Sequence, residues 1–178
     1  MSDNTIKLTP VQEKFVLHWG EMGYRWGINR TVAQIHALLY LAPKPLCADE
    51  ICASLGVARS NVSTSLRELQ NWRIVKVVHV LGDRRDHFES MKDVWEMFRV
   101  VLDERKKREI DPTVQMLRTC IEEAGKAGSR EEHTRERLAA MRDFFETTSG
   151  WYEQVDQLPT PALMRFLRMG EKLRRWIG

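Results

Sequence analysis

The 178-residue sequence predicts a mainly α-helical fold centred on a winged helix-turn-helix, that is, a three-helix core with a β-hairpin wing, and further helices before and after it. Three observations over residues 45–90 lead to this prediction. Apolar residues recur at helical spacing on both sides of Gly56, a β-branched run begins at Ile74, and Gly82-Asp83 marks a tight turn before the chain returns. This order of helix, turn, helix and hairpin is typical of the fold.

The first helix of the pair is predicted over residues 48–55. Asp49 and Glu50 stand in its first turn, where negative charge favours the positive end of the helix dipole. Gly56 then ends it, because glycine readily adopts the left-handed backbone conformation that commonly closes a helix. A short turn therefore separates this helix from the next one.

The second helix, roughly residues 59–72, is predicted to bury one stripe and to expose a polar face. Val62, Leu66 and Leu69 follow one another at helical spacing and form the stripe. The outer face carries hydrogen-bonding side chains with almost no acid among them: Arg59, Ser60, Asn61, Ser63, Thr64 and Arg67. Such side chains can read base edges in a major groove, so this face is the predicted recognition surface for double-stranded DNA.

A β-hairpin follows, with strand residues 74–80 and a return at His87 and Phe88. Arg84 and Arg85 lie at its tip, where they can reach phosphates or a minor groove. The simpler alternative is a small helical domain with a solvated polar face and a basic turn. A second alternative is a winged helix that binds protein, which would more often expose an apolar patch on its second helix. The polar face and the paired arginines favour DNA.

The same residues resemble a known family. The segments LGVARSNVSTSLRELQNW, IVKVV and GDRRDHF are similar to the winged-helix core of the GbsR-like branch of MarR-type transcriptional regulators, and NRTVAQIHALLYLAPKPLCADEI extends the resemblance upstream. The resemblance implies a homodimer on an inverted-repeat operator, with helices outside the winged helix forming the dimer. It also implies a repressor that responds to choline or a related osmolyte precursor.

The sequence departs from this family pattern at three positions. Cys47 and Ala58 stand where such proteins often have a capping Thr or Ser, and Arg73 stands where a glycine is usual. Both helix starts are therefore expected to be somewhat weaker, since a missing side-chain cap leaves a backbone N–H without its partner.

Composition and charge narrow the class of protein. The formal net charge is only +3, so DNA contact must come from local arrangement rather than from a polybasic surface. The most apolar run, VAQIHALLYLA, is too short to span a bilayer, and the first ten residues show no signal-peptide pattern. A soluble, cytoplasmic protein without a membrane partner is expected.

Three regions are predicted along the chain: an N-terminal helix over residues 1–29 with a possible role in dimerisation, the winged helix-turn-helix over residues 30–90, and a helical dimerisation or effector region over residues 91–178. Thr9, Pro10 and Gln12 predict the first helix start, as N-cap, first helical residue and capping-box partner.

The third region reads as a series of amphipathic helices. One is expected over residues 92–107, and further helix starts are expected at Asp111, at a capping box beginning with Ser129, and at Thr160. A few short amphipathic helices cannot all bury their apolar faces within one chain. Pairing with a second copy is the economical solution, and two-fold symmetry suits a pair of DNA half-sites.

Six tryptophans raise the question of an effector, because aromatic faces can enclose a quaternary ammonium group. They are Trp19, Trp26, Trp72, Trp95, Trp151 and Trp176. The favoured interpretation is that tryptophans at helical spacing belong to the core, and no cage residue is assigned. A quaternary ammonium or aromatic effector and a constitutive factor without effector both stay open.

No catalytic pattern is found in the sequence. The five histidines are scattered, with no HExxH motif and no Cys-His spacing typical of zinc, and there is no GxSxG, P-loop or GxGxxG segment. We therefore expect no enzyme activity, no cofactor and no metal. Cys47 and Cys52 lie five residues apart near a helix start, where a redox switch is conceivable but reduced, buried thiols are favoured.

Overall fold

The structure is a computed structural model that describes residues 7–165 and Met169. These residues form two compact units, one ending at Val100 and the other beginning at Val101. The predicted fold class is confirmed: the chain is mainly helical, with one small antiparallel sheet in a winged-helix arrangement. The roles predicted for the three regions of the chain stay predictions.

The first unit contains the helix-turn-helix and the sheet. Its elements in chain order are α1 (Pro10–Arg25), α2 (Arg30–Leu41), β1 (Leu46–Cys47), α3 (Ala48–Leu55), α4 (Arg59–Asn71), β2 (Val75–Val78), β3 (His87–Ser90) and the start of α5 (Val94–Arg105). The strands are ordered β1-β3-β2, so the short β1 pairs with the returning strand of the wing. In this register Cys47 lies opposite His87 and Val77 opposite Phe88.

The start of α1 has the predicted capping box. The Gln12 backbone N–H donates to Thr9 Oγ1 at 3.3 Å, and the Thr9 N–H donates to Gln12 Oε1 at 2.9 Å. Pro10 occupies the first turn, where its missing N–H costs nothing. The local sequence is therefore enough to define this helix start.

The core of the first unit is built around α2. Ile35, Leu38 and Leu39 are fully buried, and the α4 stripe of Val62, Leu66 and Leu69 packs in the same hydrophobic cluster. These residues lie where the helical spacing predicts them. The polar face of α4 is therefore turned away from this core.

The turn between α3 and α4 also follows the prediction. Gly56 has φ 64° and closes α3 with its N–H bonded to the Cys52 carbonyl. The turn after α4 is made differently, because Arg73 itself adopts φ 60°. The family resemblance predicts a glycine at this position, and the backbone adopts the glycine-like conformation despite the side chain of Arg73.

The start of α3 is better capped than Cys47 alone suggests. Glu50 reaches back, and its Oε2 accepts a hydrogen bond of 2.8 Å from the Cys47 backbone N–H. A capping box is thus present, with Cys47 in the place of a Ser or Thr. The start of α4 is different: Ala58 makes no side-chain cap bond there, as predicted.

The helix boundary predicted at Asp111 coincides with the start of α6, but the predicted cap is not formed there. The chain stays helical from α5 through a π-helical turn (Lys106–Ile110) into α6 (Asp111–Lys126), and Ile110 has helical φ and ψ angles. Pro112 fits because it lies in the first turn of α6, and the wider π turn precedes it. A cap signal followed by proline is therefore not sufficient to end a helix.

The second unit contains α6 and the long helix α7 (Glu132–Asp156), which pack against each other and bury Leu117 and Ala124 of α6. The capping box predicted at Ser129 is not formed, because residues 128–131 make a short 3-10 turn and Glu131 precedes α7. Residues 160–165 are helical as predicted, and most of the remainder of that predicted helix lies outside the described residues.

Candidate nucleic-acid interface

All six polar residues predicted on the outer face of α4 are exposed. They span slightly more than two turns on the side opposite the buried stripe, and the acidic residue nearest to them along the helix, Glu68, is half-buried. The helix therefore presents amide, hydroxyl and guanidinium groups to solvent over one continuous face. Whether these groups contact DNA stays a prediction.

The two arginines of this face differ in their surroundings. Arg59 makes an ion pair with Asp49 in the first turn of α3, which ties the start of α4 to α3. Arg67 forms no ion pair within the described residues. Its side chain lines a groove of about 320 Å³ between α4 and the wing, together with Ser63 and Arg85.

The tip of the wing is shaped by Asp83. The Asp83 N–H bonds to the Val80 carbonyl at 3.0 Å, and Gly82 has φ 85°, so the turn closes where the sequence predicts it. Asp83 Oδ1 accepts hydrogen bonds of 3.0 Å from both the backbone N–H and the Nε–H of Arg85. These bonds from Arg85 hold the pKa of Asp83 well below its usual range.

Arg84 and Arg85 are both exposed, as predicted, but they are not equivalent. Arg85 is held by Asp83, whereas Arg84 makes no ion pair in the described part of the chain. The wing therefore offers one unbalanced positive charge and one that an internal carboxylate already neutralises.

Beneath the wing lies a buried group that the sequence did not reveal. Cys47, Glu50 and His87 are 1%, 4% and 6% exposed, and one donor atom of each lies within 4.8 Å of the others. Pairing of β1 with β3 brings His87 opposite Cys47 across 40 residues of chain. No spacing rule detects such a group, because it depends on strand register rather than on local pattern.

Glu50 in this group is held as a carboxylate. Burial by itself raises the pKa of Glu50, but hydrogen bonds from Cys47 and from the Lys44 ammonium outweigh it, and the net pKa is lowered. The Lys44 Nζ lies 3.3 Å from Glu50 Oε1.

The tryptophans divide between core and surface. Trp72 is buried in the core cluster, as predicted, while Trp26 and Trp151 are more than half exposed. Trp19 stacks on Phe15 with ring centroids 5.5 Å apart and meets Trp26 edge-on at 6.3 Å. Trp19 thus has aromatic neighbours rather than an open face, and Trp176 lies outside the described residues.

These features define a class of protein: a winged helix-turn-helix with an exposed, acid-poor second helix and arginines on the wing. The comparison with known proteins is more specific than this class. Residues 26–86 match the model of the MarR family, so the predicted resemblance to MarR-type regulators is confirmed.

Curated relatives are transcriptional regulators at low identity. The chain is 22% identical over 136 residues to the HTH-type transcriptional repressor GbsR of Bacillus subtilis, covering 75% of each chain. It is 23% identical over 87 residues to the repressor OpcR of the same organism, covering 49% of this chain and 47% of that relative. The chain thus spans about half the length of some curated relatives that it matches.

A crystal structure of a transcriptional regulator has the same fold. Its TM-score is 0.54 at 22% identity, and the similarity covers 82% of this chain and 99% of that one. No helix among residues that the structure describes is both long and apolar enough to cross a membrane.

Proposed function

We propose that the protein is a cytoplasmic, sequence-specific DNA-binding repressor that acts as a homodimer on an inverted-repeat operator. The observation that carries this proposal is the outer face of α4, where six exposed residues include two arginines, an asparagine and three hydroxyl side chains. A buried apolar stripe on the opposite side of the helix holds that face outward.

The chemistry of this face suits the edges of bases in a major groove. Arginine donates two parallel hydrogen bonds to guanine O6 and N7, and asparagine pairs with adenine N6 and N7. Arg67 and Asn61 are the residues to which we assign this reading. Ser60, Ser63 and Thr64 can bond either to bases or to phosphates, and Arg59 begins the helix beside its Asp49 partner.

We assign Arg84 and Arg85 to phosphates or to a minor groove beside the site read by α4. Arg84 is the simpler case, because its charge is not balanced by a carboxylate within the described residues. To bind a phosphate, Arg85 must either break its hydrogen bonds to Asp83 or donate to Asp83 and the phosphate at the same time. Both contacts would position the protein without specifying sequence.

The dimer and the repressor role are supported by the relatives and by an exposed apolar face. GbsR and OpcR carry the name of repressor. On α7, Met141, Phe144 and Trp151 are more than half exposed on neighbouring positions of one side of the helix. A second copy would bury these side chains, and a two-fold axis would then relate the two α4 helices of the dimer.

A small-molecule effector, either a quaternary ammonium compound or an aromatic one, is the further element of the proposal. Trp26 is about half exposed, and its ring has the face that a quaternary ammonium cation prefers. Choline at millimolar concentration should lower the affinity of the dimer for its operator, whereas sodium chloride at equal ionic strength should not. Equal effects of the two salts would exclude a response to choline.

Fluorescence anisotropy tests the central proposal. Purified protein is titrated into a labelled duplex taken from upstream of its own gene, with a random duplex of equal length as control and with salt varied. Tight binding, preference over the random duplex and a steep salt slope are expected. Selection from a genomic DNA library finds the operator if it lies elsewhere.

Failure to select any sequence from that library would contradict the proposal. The outer face of α4 would then belong to a protein-binding module, which is the alternative function. Affinity that stays in the non-specific range, with equal binding to both duplexes, is the signature of that outcome.

A further inference from the structure

We propose that Cys47, Glu50 and His87 form a binding site for a zinc-class divalent cation, which joins the returning strand of the wing to the start of α3. The three residues come from β1, α3 and β3 and are all buried. The site does not depend on the proposed role in DNA binding, because it rests only on the packing of the first unit.

The donor set is the first reason. A thiolate, an imidazole and a carboxylate are the three ligand types that zinc takes in proteins, at about 2.3, 2.0 and 2.0 Å. In tetrahedral coordination such atoms lie about 3.5 Å apart, as those bond lengths require. The donor atoms of Cys47, Glu50 and His87 already lie within 4.8 Å of one another, so side-chain adjustments of about an ångström close the site.

The second reason is the orientation of His87. Its Nδ1 lies 3.0 Å from the Arg85 carbonyl oxygen, which accepts a hydrogen bond from the protonated Nδ1. The lone pair is then on Nε2. Metal-binding histidines in proteins nearly always hold the other ring nitrogen in this way, which fixes the ring and makes the ligating nitrogen more basic.

The third reason is that the Glu50 carboxylate is also fixed in position, with one oxygen left for a cation. One carboxylate oxygen, Oε2, accepts the Cys47 backbone N–H at 2.8 Å and caps α3. The other, Oε1, lies 3.3 Å from the exposed ammonium of Lys44. A divalent cation can replace that ammonium at Oε1 and leave the helix cap intact.

A fourth ligand is within reach. Asp83 Oδ2 lies 3.5 Å from His87 Nε2, which is close to the spacing of two ligands on one tetrahedral cation. On binding, the Cys47 S–H bond breaks, a sulfur–metal bond forms, and the proton passes to solvent. Either Asp83 or a water molecule completes the coordination sphere.

Cobalt(II) serves as the spectroscopic probe, because thiolate ligation gives a charge-transfer band in the near ultraviolet. The decisive protein is the double variant Cys52→Ser and Cys120→Ser, in which Cys47 is the only thiol. We expect one cobalt per chain, the charge-transfer band, its loss on addition of zinc, and a melting temperature that rises with zinc and falls again with a chelator.

Cys47→Ser and His87→Gln, each made in that background, should lower cobalt affinity by more than about 100-fold and remove the thermal shift. Folding of each variant is checked by circular dichroism. Absence of the charge-transfer band in the folded double variant would overturn the proposal, and this result does not require the ligand variants to fold. Zinc stabilisation that persists unchanged in a folded His87→Gln protein would overturn it as well.

Discussion

At the scale of single residues, Asn61 and Arg67 are assigned to base edges. Arg67→Ala and Asn61→Ala should each cost about 1–3 kcal/mol of binding free energy on the selected operator, because a bidentate contact is lost. Affinity for a random duplex should change little. Anisotropy on both duplexes measures the difference.

Arg135→Ala is the matched control for Arg67→Ala, since Arg135 is an exposed arginine of α7 that pairs with Glu132. It removes the same charge outside the proposed recognition surface. Equal losses on operator and random duplex for Arg67→Ala would show that Arg67 contacts phosphate rather than bases.

The backbone of Arg73 gives a stability prediction. A residue with a Cβ destabilises the folded state by about 1–2 kcal/mol when its backbone is in the left-handed region. Replacement by glycine removes this strain, but it also gives the unfolded chain more conformational freedom, which offsets part of the stabilisation. Arg73→Gly should therefore raise the free energy of unfolding by about 0.5–1 kcal/mol. Urea titration provides the measurement.

Gly56→Ala makes the opposite change at a matched position, since Gly56 has φ 64° and open space around its Cα. It should destabilise the protein by about 1 kcal/mol. Stabilisation by Gly56→Ala, or destabilisation by Arg73→Gly, would contradict the conformations of these two turns.

His36 predicts a pH dependence of stability. Burial, and secondarily the charge of Lys92, lowers the pKa of His36 from 6.5 to about 4. The unfolded chain therefore takes up a proton as pH falls below 6.5, while the folded protein does not until about pH 4. Stability decreases over this window, by about 2 kcal/mol between pH 7 and pH 5.

His36→Phe removes the titrating group and keeps an aromatic ring beside Trp19 and Tyr40. Chemical denaturation at pH 7 and pH 5 compares the two proteins. The wild-type protein should lose about 2 kcal/mol more than the variant over this interval. Equal losses would mean that His36 titrates normally in the folded protein.

At the scale of elements, the wing is the unit that responds to salt. Arg84→Ala and Arg85→Ala should each weaken binding to all sequences and reduce the salt slope by about 0.9, the value for one phosphate contact. Arg85→Ala should cost more affinity, because it also leaves the Asp83 carboxylate unpaired near the phosphates.

Adding Asp83→Asn to Arg85→Ala removes that carboxylate and should restore affinity to the level of Arg84→Ala. Salt titrations on a random duplex compare the affinities and salt slopes of Arg84→Ala, Arg85→Ala and the double variant. If Arg85→Ala changed neither affinity nor slope, the assignment of the wing to DNA would be wrong.

Elements with strong local signals could be predicted from the sequence. The start of α1 follows from Thr9 and Gln12, and the end of α3 from Gly56, since each rests on bonds within one turn. The caps predicted at Asp111 and Ser129 are not formed, because a π turn and a 3-10 turn satisfy the same backbone groups in other ways.

The candidate site divides in the same manner. The exposed face of α4 could be predicted, because helical spacing alone separates it from the buried stripe. The bonds from Arg85 to Asp83 and the cluster of Cys47, Glu50 and His87 could not. They depend on the geometry of the hairpin tip and on the register of β1 with β3.

At the scale of the whole molecule, the homodimer is testable through α7. Sedimentation of the full chain should give roughly twice the 20.9 kDa of one copy. Phe144→Glu should shift the protein toward monomer, because a charge cannot be buried in an apolar interface without a partner. Gln154→Glu, an exposed position of the same helix, is the control. If the Phe144→Glu protein stayed fully dimeric, the dimer interface would not include this face of α7.

The pairing of β1 with β3 also has a consequence for the order of folding. The β2–β3 hairpin closes over a short loop, whereas β1 must meet β3 across 40 residues, and Lys92 bonds to the Leu39 carbonyl across 53. Contacts between distant parts of a chain close late, because the entropy of the intervening loop opposes them. We therefore expect the hairpin to form early, and the two-residue strand β1 to join last and to exchange its amide protons first.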